Sequence, residues 1–163
     1  MNEVDRLQYR PCVGVMLVNG EGKVFVGKRI DNKEGDRWQM PQGGVDEGEE
    51  LDTAMLRELA EETGAKSEHL QILARMEGEL FYDLPPELHG KLWGGRYKGQ
   101  RQSWYLVRFT GRDEDIDLGA WETPEFCEFR WVEADLLPEL IVPFKRDVYR
   151  TVVEAFRDRL HPA

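Results

Sequence analysis

Apolar residues recur in short stretches along the chain, in patterns typical of β-strands joined by tight turns. Residues 12–19 (CVGVMLVN) are rich in β-branched side chains, and residues 23–29 (KVFVGKR) alternate apolar and polar positions after a turn-like NGEG. The two stretches therefore predict a hairpin. Four further stretches predict strands: residues 37–40, which stop at Pro41, and residues 69–80, 101–110 and 127–132.

Two segments carry helical spacing instead. Residues 50–63 predict one helix, and Gly64 follows in the position that commonly caps a helix C-terminus. The second helix is predicted after Pro143, near the end of the chain. Hairpin-linked strands with a few helices predict an α/β fold, in which a mixed sheet is covered by helices, rather than a doubly wound fold. In the second helix the apolar positions recur every four residues: Phe144, Val148, Val152 and Phe156.

Composition places the chain among globular proteins and excludes several functions. Its 163 residues predict a single domain spanning 1–163, and no apolar run approaches the ~20 residues of a membrane span. The two cysteines do not form a CxxC pair, and the start lacks a signal-peptide pattern, so we expect a cytoplasmic protein with no membrane partner. A net charge of −10 argues against stable DNA binding and other broad attraction to nucleic acid.

The most unusual stretch is residues 43–65, which hold eight carboxylates and one arginine. On a helical wheel of about 100° per residue, Glu62 lies near 40° and Glu61 near −60° from Glu58, beside an apolar face. Arg57 precedes Glu61 by four residues, where the two can pair. Such crowding is either a solvated acidic face or a site for a cation. Carboxylates are the ligands that hard divalent cations such as Mg²⁺ prefer.

The spacing of this segment decides between the two interpretations. Gly43, Glu49, Arg57, Glu58, Leu59, Glu61, Glu62, Gly64 and Ala65 match the Nudix box at each fixed position. A chance match is on the order of one in a hundred million per start position. The chain therefore resembles the Nudix hydrolases, and the solvated-face interpretation is set aside.

The resemblance implies an α/β/α sandwich around a mixed sheet and a Mg²⁺- or Mn²⁺-dependent hydrolysis of nucleoside diphosphate derivatives, with more than one ion. Water attacks a phosphorus of the anhydride, and Glu58 acts as general base in many relatives. By matching positions, Glu58, Glu61 and Glu62 bind metal together with the Gly43 carbonyl, and Arg57 orients the glutamates. Glu49, Gly44 and Gly64 complete the box as structural residues. Gly43 and Gly44 are expected to let the loop before the helix bend sharply and to bring a main-chain carbonyl close to the ion.

Four stretches outside the box resemble one subfamily, the bacterial RNA pyrophosphohydrolases and the related dinucleoside polyphosphate hydrolases. They are YRPCVGV (9–15), WQMPQGG (38–44), TPEF (123–126) and FKRDVYR (144–150). The resemblance implies that Glu125 adds a carboxylate to the metal site. It places Arg10 and Arg29 at the phosphates and Phe144 and Lys145 beside the nucleotide. Gln42 is also predicted to bind substrate, as is Tyr82, which is expected on the side of the basic segment at residues 91–104.

Residues 91–104 add a basic segment to an acidic chain. Four basic residues occur there without an acid, interleaved with Trp93, Tyr97 and Trp104. Such a segment suits a polyphosphate or a single-stranded RNA end, although it could merely balance the acidic neighbourhood. Together with the subfamily resemblance, it favours a 5′-triphosphorylated RNA end as substrate over a dinucleoside polyphosphate such as diadenosine tetraphosphate, and activity on both substrates stays open. A binding module without turnover is a third hypothesis, disfavoured because the box glutamates are present.

Overall fold

The computed structural model describes residues 8–31 and 37–162, apart from the side chain of Trp93. Within these ranges the chain forms one eight-stranded sheet with three α-helices. The strands are β1 (Gln8–Val18), β2 (Val24–Arg29), β3 (Trp38–Gln39), β4 (Gln42–Gly44), β5 (Leu70–Arg75), β6 (Leu80–Asp83), β7 (Tyr97–Phe109) and β8 (Phe126–Val132). The helices are α1 (Leu51–Thr63), α2 (Leu137–Leu140) and α3 (Arg146–Phe156).

The sheet is mixed, as the strand pattern predicted. Its main path runs β3–β2–β1–β7–β5, with β4 paired to β1, β6 to β7 and β8 to β2. The long central strands β1 and β7 are parallel, whereas β1 and β2 form the expected antiparallel hairpin, with Val18 opposite Val24. The pairing of β1 with β7 brings residues 9–15 beside the basic segment, and Arg10 lies opposite Gln100. About ninety residues separate the two segments in the sequence.

Helices cover both faces of the sheet, because successive side chains of a strand point to opposite sides. On one face, Val15 and Leu17 of β1 pack with Leu59 of α1. On the other face, Met16 of β1 packs in a second core that includes Val152 of α3. This arrangement confirms the predicted α/β sandwich. No helix within residues 8–31 and 37–162 combines the length and the apolar character that crossing a bilayer requires.

The predicted box helix is confirmed from Leu51 to Thr63, one residue shorter than expected at its start. Gly64 ends it with φ of 71°, and its N–H donates to the carbonyl of Ala60. A Cβ at Gly64 would lie 2.6 Å from the carbonyl oxygen of Asp117. Glycine is therefore required here both for the left-handed backbone and for the close neighbouring chain.

Several predicted elements differ from those observed, and the first strand already begins earlier than expected, at Gln8. The strand predicted at 69–80 is split into β5 and β6, with Gly78 at φ of 74° between them. The strand predicted at 101–110 begins earlier, at Tyr97, because β1 and β6 pair with the added residues. The final helix begins only at Arg146, since residues 143–145 form a tighter 3₁₀ turn that holds Phe144.

Candidate active site

A cleft of about 550 Å³ brings together residues that lie far apart in the sequence, from Arg10 to Lys145. Residues of α1, β4 and β6 line it, together with the 3₁₀ turn before α3. Arg57 and Glu49 line an adjoining cavity, and Gly64 follows the C-terminal end of α1. The predicted site residues that line the cleft itself are Arg10, Arg29, Gln42, Gly43, Gly44, Glu58, Glu61, Glu62, Tyr82, Glu125, Phe144 and Lys145.

Two acidic side chains of the cleft are buried. Glu58 is 9% exposed and Glu62 is 3% exposed. Burial, followed by the nearby carboxylate of Glu61, raises the pKa of Glu58 to about 7. Burial, followed by the charges of Glu58 and Glu125, raises the pKa of Glu62 well above its ordinary value. Because a buried carboxylate is costly when charged, this pair favours either protons or a bound cation.

Arg57 contacts the carboxylates of three glutamates from behind the cleft. Its guanidinium donates two hydrogen bonds of 2.8 Å to the carboxylate of Glu49 and one of 2.9 Å to the carbonyl of Gly44. The remaining nitrogen donates to Glu58 at 2.9 Å and to Glu61 at 3.3 Å. The same guanidinium lowers the pKa of Glu49 to about 2, helped by the N–H of Asp46. One side chain thus joins the loop before α1 to two glutamates of the helix.

The predicted reason for the paired glycines was wrong. Gly43 and Gly44 lie in β4, paired with Val13 and Cys12, rather than in a sharply bent loop. Their role is space: a Cβ at Gly43 would overlap the carboxyl group of Glu58, and a Cβ at Gly44 would lie 2.5 Å from the guanidinium of Arg10. Glycines here let charged side chains lie directly against the strand backbone.

Arg29 and Glu125 occupy the cleft together but contact each other. Nη1 of Arg29 lies 3.4 Å from Oε2 of Glu125, and Arg29 also makes a two-pronged pair with Asp31 at 2.8 and 2.9 Å. Both partners of the Arg29–Glu125 pair are more than 40% exposed. Surface pairs of this kind contribute little energy, so a phosphate or a cation can compete for either side chain.

The residues predicted to flank a nucleotide form one wall. The rings of Tyr82 and Phe144 lie 5.7 Å apart, and Nζ of Lys145 lies 5.4 Å from the centre of the Tyr82 ring. Burial, together with the nearby Arg29, lowers the pKa of Lys145 to about 8. Tyr82 is only 7% exposed and belongs to the core, so it supports this wall more than it faces solvent.

Sequence reasoning missed three glutamines. Gln39 and Gln100 line the cleft, and Gln102 is only 2% exposed behind Gln42. A signal was available, since Gln100 and Gln102 occupy alternate positions and therefore share one face of a strand that is otherwise rich in apolar residues.

The residues of the basic segment at 91–104 lie in two different environments, a cavity and the core. Arg96, Tyr97 and Arg101 line a cavity of about 850 Å³ that shares Arg10 and Glu58 with the cleft. Nη1 of Arg101 pairs with Glu79 at 2.9 Å. Trp104 was expected among the stacking rings, and that prediction was wrong: it is 1% exposed, within the core. The side chain of Trp93 lies outside the described residues.

The donor chemistry of the cleft fits a divalent cation. In the parts of the chain that the structure describes, no group of three or more His, Cys, Asp or Glu side chains is arranged to hold a metal ion as it stands. Glu58 and Glu61 are held by Arg57, and Glu125 by Arg29, so a metal shell requires side-chain rotation. The oxygen donors, two of them on the buried side chains of Glu58 and Glu62 whose pKa values are raised, nevertheless suit a hard ion such as Mg²⁺.

Comparisons with known proteins agree with this chemistry. The sequence model of the NUDIX domain matches residues 8–152. The RNA pyrophosphohydrolase of Novosphingobium aromaticivorans is 64% identical over 152 residues, which cover 93% of this chain and 94% of that protein. The RNA pyrophosphohydrolase of Erythrobacter litoralis is 60% identical over 151 residues, covering 93% and 92%. The solved E. coli dihydroneopterin triphosphate pyrophosphohydrolase has a TM-score of 0.68 at 21% identity, covering 91% of this chain and 99% of that one, a likeness of fold alone.

Proposed function

Because the chain belongs to the Nudix hydrolase family, we propose that it removes pyrophosphate from the 5′-triphosphate end of RNA. The observation that carries this proposal is the high identity, over most of the chain, to curated relatives named RNA pyrophosphohydrolase. The cleft supports it, since carboxylates for a cation and cationic side chains for phosphate line the same space. Hydrolysis would break one phosphoric anhydride bond and leave a 5′-monophosphate on the RNA.

The proposed division of labour follows from burial and contacts. Nudix hydrolases generally need divalent metal ions, and a bound Mg²⁺ or Mn²⁺ would neutralise phosphate charge and acidify the attacking water. Glu58, Glu61 and Glu62 are the residues that would hold it, with Glu125 and the Gly43 carbonyl. Glu58 is also the proposed general base, because Arg57 fixes its carboxylate at the edge of the cleft.

Cationic side chains would position the substrate. Arg10 and Arg29 would bind phosphate oxygens, since a guanidinium matches their geometry with paired donors. The ring of Phe144 and the ammonium of Lys145 would flank the nucleotide, and Gln42 and Tyr82 would border the same wall. The adjoining cavity with Arg96, Tyr97 and Arg101 offers an RNA chain room beyond its first nucleotide.

A side-by-side assay tests the substrate. Purified enzyme with Mg²⁺, and separately with Mn²⁺, is given 5′-triphosphorylated RNA and diadenosine tetraphosphate, and kcat/KM is measured for both. We expect the RNA to give the higher value and to release pyrophosphate, because Arg96 and Arg101 of the adjoining cavity can contact phosphates of the RNA chain beyond its first nucleotide. The 5′-monophosphorylated RNA of the same sequence, which has no anhydride, is the control. A tenfold preference for diadenosine tetraphosphate would contradict the RNA proposal but keep the hydrolase chemistry.

Arg10→Ala is expected to reduce kcat/KM for triphosphorylated RNA by roughly 10-fold or more, the range for losing a hydrogen bond to a charged group. Arg10 borders both cavities and packs against Gly44, where a phosphate oxygen could reach it. Steady-state kinetics measure the effect, with Arg150→Ala on the exposed part of α3 as the control. An unchanged kcat/KM for both substrates would show that the phosphate contact is wrongly assigned.

A further inference from the structure

Three glutamine side chains and one tryptophan form a hydrogen-bonded chain from the core to the cleft. Nε1 of Trp104 donates to Oε1 of Gln102 at 2.9 Å. Nε2 of Gln102 donates in turn to Oε1 of Gln42 at 3.1 Å and to Oε1 of Gln100 at 2.8 Å. Gln42 and Gln100 line the cleft, Gln100 with only 1% of its surface exposed, and Trp104 and Gln102 behind them are 1% and 2% exposed. A buried indole is thus connected to two amides of the site.

The indole fixes the direction of every bond in this chain. A glutamine amide can accept or donate, but the tryptophan N–H can only donate. Gln102 must therefore turn its oxygen toward Trp104 and its NH₂ group toward the other two glutamines. The oxygens of Gln42 and Gln100 accept those bonds, so the opposite end of each amide is an NH₂ group. Reversing Gln102 would set two donors against each other at Trp104 and oxygen against oxygen at both other contacts.

The fold holds the indole rigidly in this place. Trp104 is opposite Gly14 in the β1–β7 pair, and a Cβ at Gly14 would lie 2.6 Å from the indole ring. The ring of Tyr149 packs edge-on against it at 5.9 Å. Gly14 is also opposite Gln42 in the β1–β4 pair. The missing side chain of Gly14 therefore gives the indole its place beside the strand that carries Gln42.

We propose that Trp104 is a positioning residue, which acts through Gln102 to present the NH₂ groups of Gln42 and Gln100 as hydrogen-bond donors to acceptor oxygens of the bound polyphosphate. The inference rests on the proposed function for its substrate. Its energetic basis is that a phosphate has only acceptor oxygens, so an amide turned the other way would repel it. Without the indole N–H, Gln102 can reverse, and both outer amides then present oxygen to the cleft.

Enzyme kinetics test the connection through a double-mutant cycle. Trp104→Phe removes the N–H and keeps an aromatic ring, and Gln42→Ala removes one of the two presented donors. We expect Trp104→Phe to raise KM for triphosphorylated RNA about 3- to 10-fold, the range for losing one hydrogen bond to the substrate. The kcat of this variant should stay within about twofold of the wild-type value. In the Gln42→Ala background the same change should cost clearly less, because residues of one network couple. Trp38→Phe, a buried indole of the same core, is the control.

A second measurement does not depend on activity. In ¹⁵N-labelled protein, Trp104→Phe should move the side-chain amide signals of Gln42 and Gln100, whereas Trp38→Phe should not. If Trp104→Phe does not fold, Gln102→Leu takes its place. It removes the central amide at similar volume and should also move the amide signals of Gln42 and Gln100.

The outcomes separate this inference from the proposed function. A wild-type enzyme that is inactive on triphosphorylated RNA refutes the proposed function, and the amide signals then decide the connection alone. An active wild type with independent, multiplicative effects of Trp104→Phe and Gln42→Ala refutes the positioning role. Amide signals that Trp104→Phe and Gln102→Leu leave in place refute it as well.

Discussion

Glu62→Gln is expected to lower kcat at least about 100-fold while leaving the protein as stable as before, or more stable. Glu62 lies in the cleft with its carboxylate almost completely buried, and the amide of glutamine has nearly the same shape. The amide oxygen can still accept the 3.0 Å hydrogen bond from the N–H of Gln42. The negative charge needed to hold a divalent cation is lost, since an amide is a much weaker ligand for such an ion.

The stability prediction follows from the sign of the pKa shift of Glu62. Its pKa is raised in the folded protein, so the folded state disfavours the charged form. At pH 7 the unfolded chain ionises freely, and this difference lowers the free energy of unfolding of the wild type. Glutamine removes that penalty. A variant that loses turnover and gains thermal stability therefore lost chemistry rather than its fold.

Steady-state kinetics at saturating Mg²⁺ and thermal unfolding without metal measure the two effects. Glu50→Gln, at an exposed position just before the same helix, is the control and should change neither. Glu58→Gln is expected to lose at least about 100-fold in kcat as well. Rates within twofold of wild type for either cleft variant would refute its assignment to the metal site.

Arg57→Lys should impair both stability and turnover, although it conserves the charge. The guanidinium binds Glu49 with two donors and reaches Gly44, Glu58 and Glu61 with the others, and a lysine ammonium cannot span this set. We expect a loss of about 1.5–3 kcal/mol in the free energy of unfolding at pH 7, the range for hydrogen bonds to charged groups. We also expect kcat to fall more than about 10-fold, because misplaced catalytic groups are costly.

The stability loss of Arg57→Lys should depend on pH. The pKa of Glu49 is lowered to about 2 in the folded protein, so its pairing with Arg57 stabilises the fold above the unfolded pKa of about 4.3. That contribution disappears as the pH falls toward 2. Urea unfolding at pH 7 and near pH 3 should therefore show a smaller difference between variant and wild type at the lower pH. Arg150→Lys, in an exposed pair with Asp147, is the control. An equal loss at both pH values would show that Arg57 stabilises the fold without Glu49.

The amino-acid sequence was sufficient for features that depend on near neighbours. The stripe of Glu58, Glu61 and Glu62 follows from helical geometry alone, as does the pairing of Arg57 with Glu61 that the structure confirms at 3.3 Å. Gly64 ends the helix as expected, because only local backbone conformation is involved. The strand pattern also predicted a mixed sheet covered by helices, since alternation of side chains is a property of each strand.

Tertiary contacts decided the features that join distant segments. The parallel pairing of β1 with β7 buries Trp104, which the local sequence presents as an aromatic residue of a basic segment. The strand position of Gly43 and the burial of Gln102 depend on the same neighbours, and neither can be read from adjacent residues. The physical reason is that burial and hydrogen-bond direction are set by the groups that surround a side chain in space, and here those groups come from segments far apart in the chain.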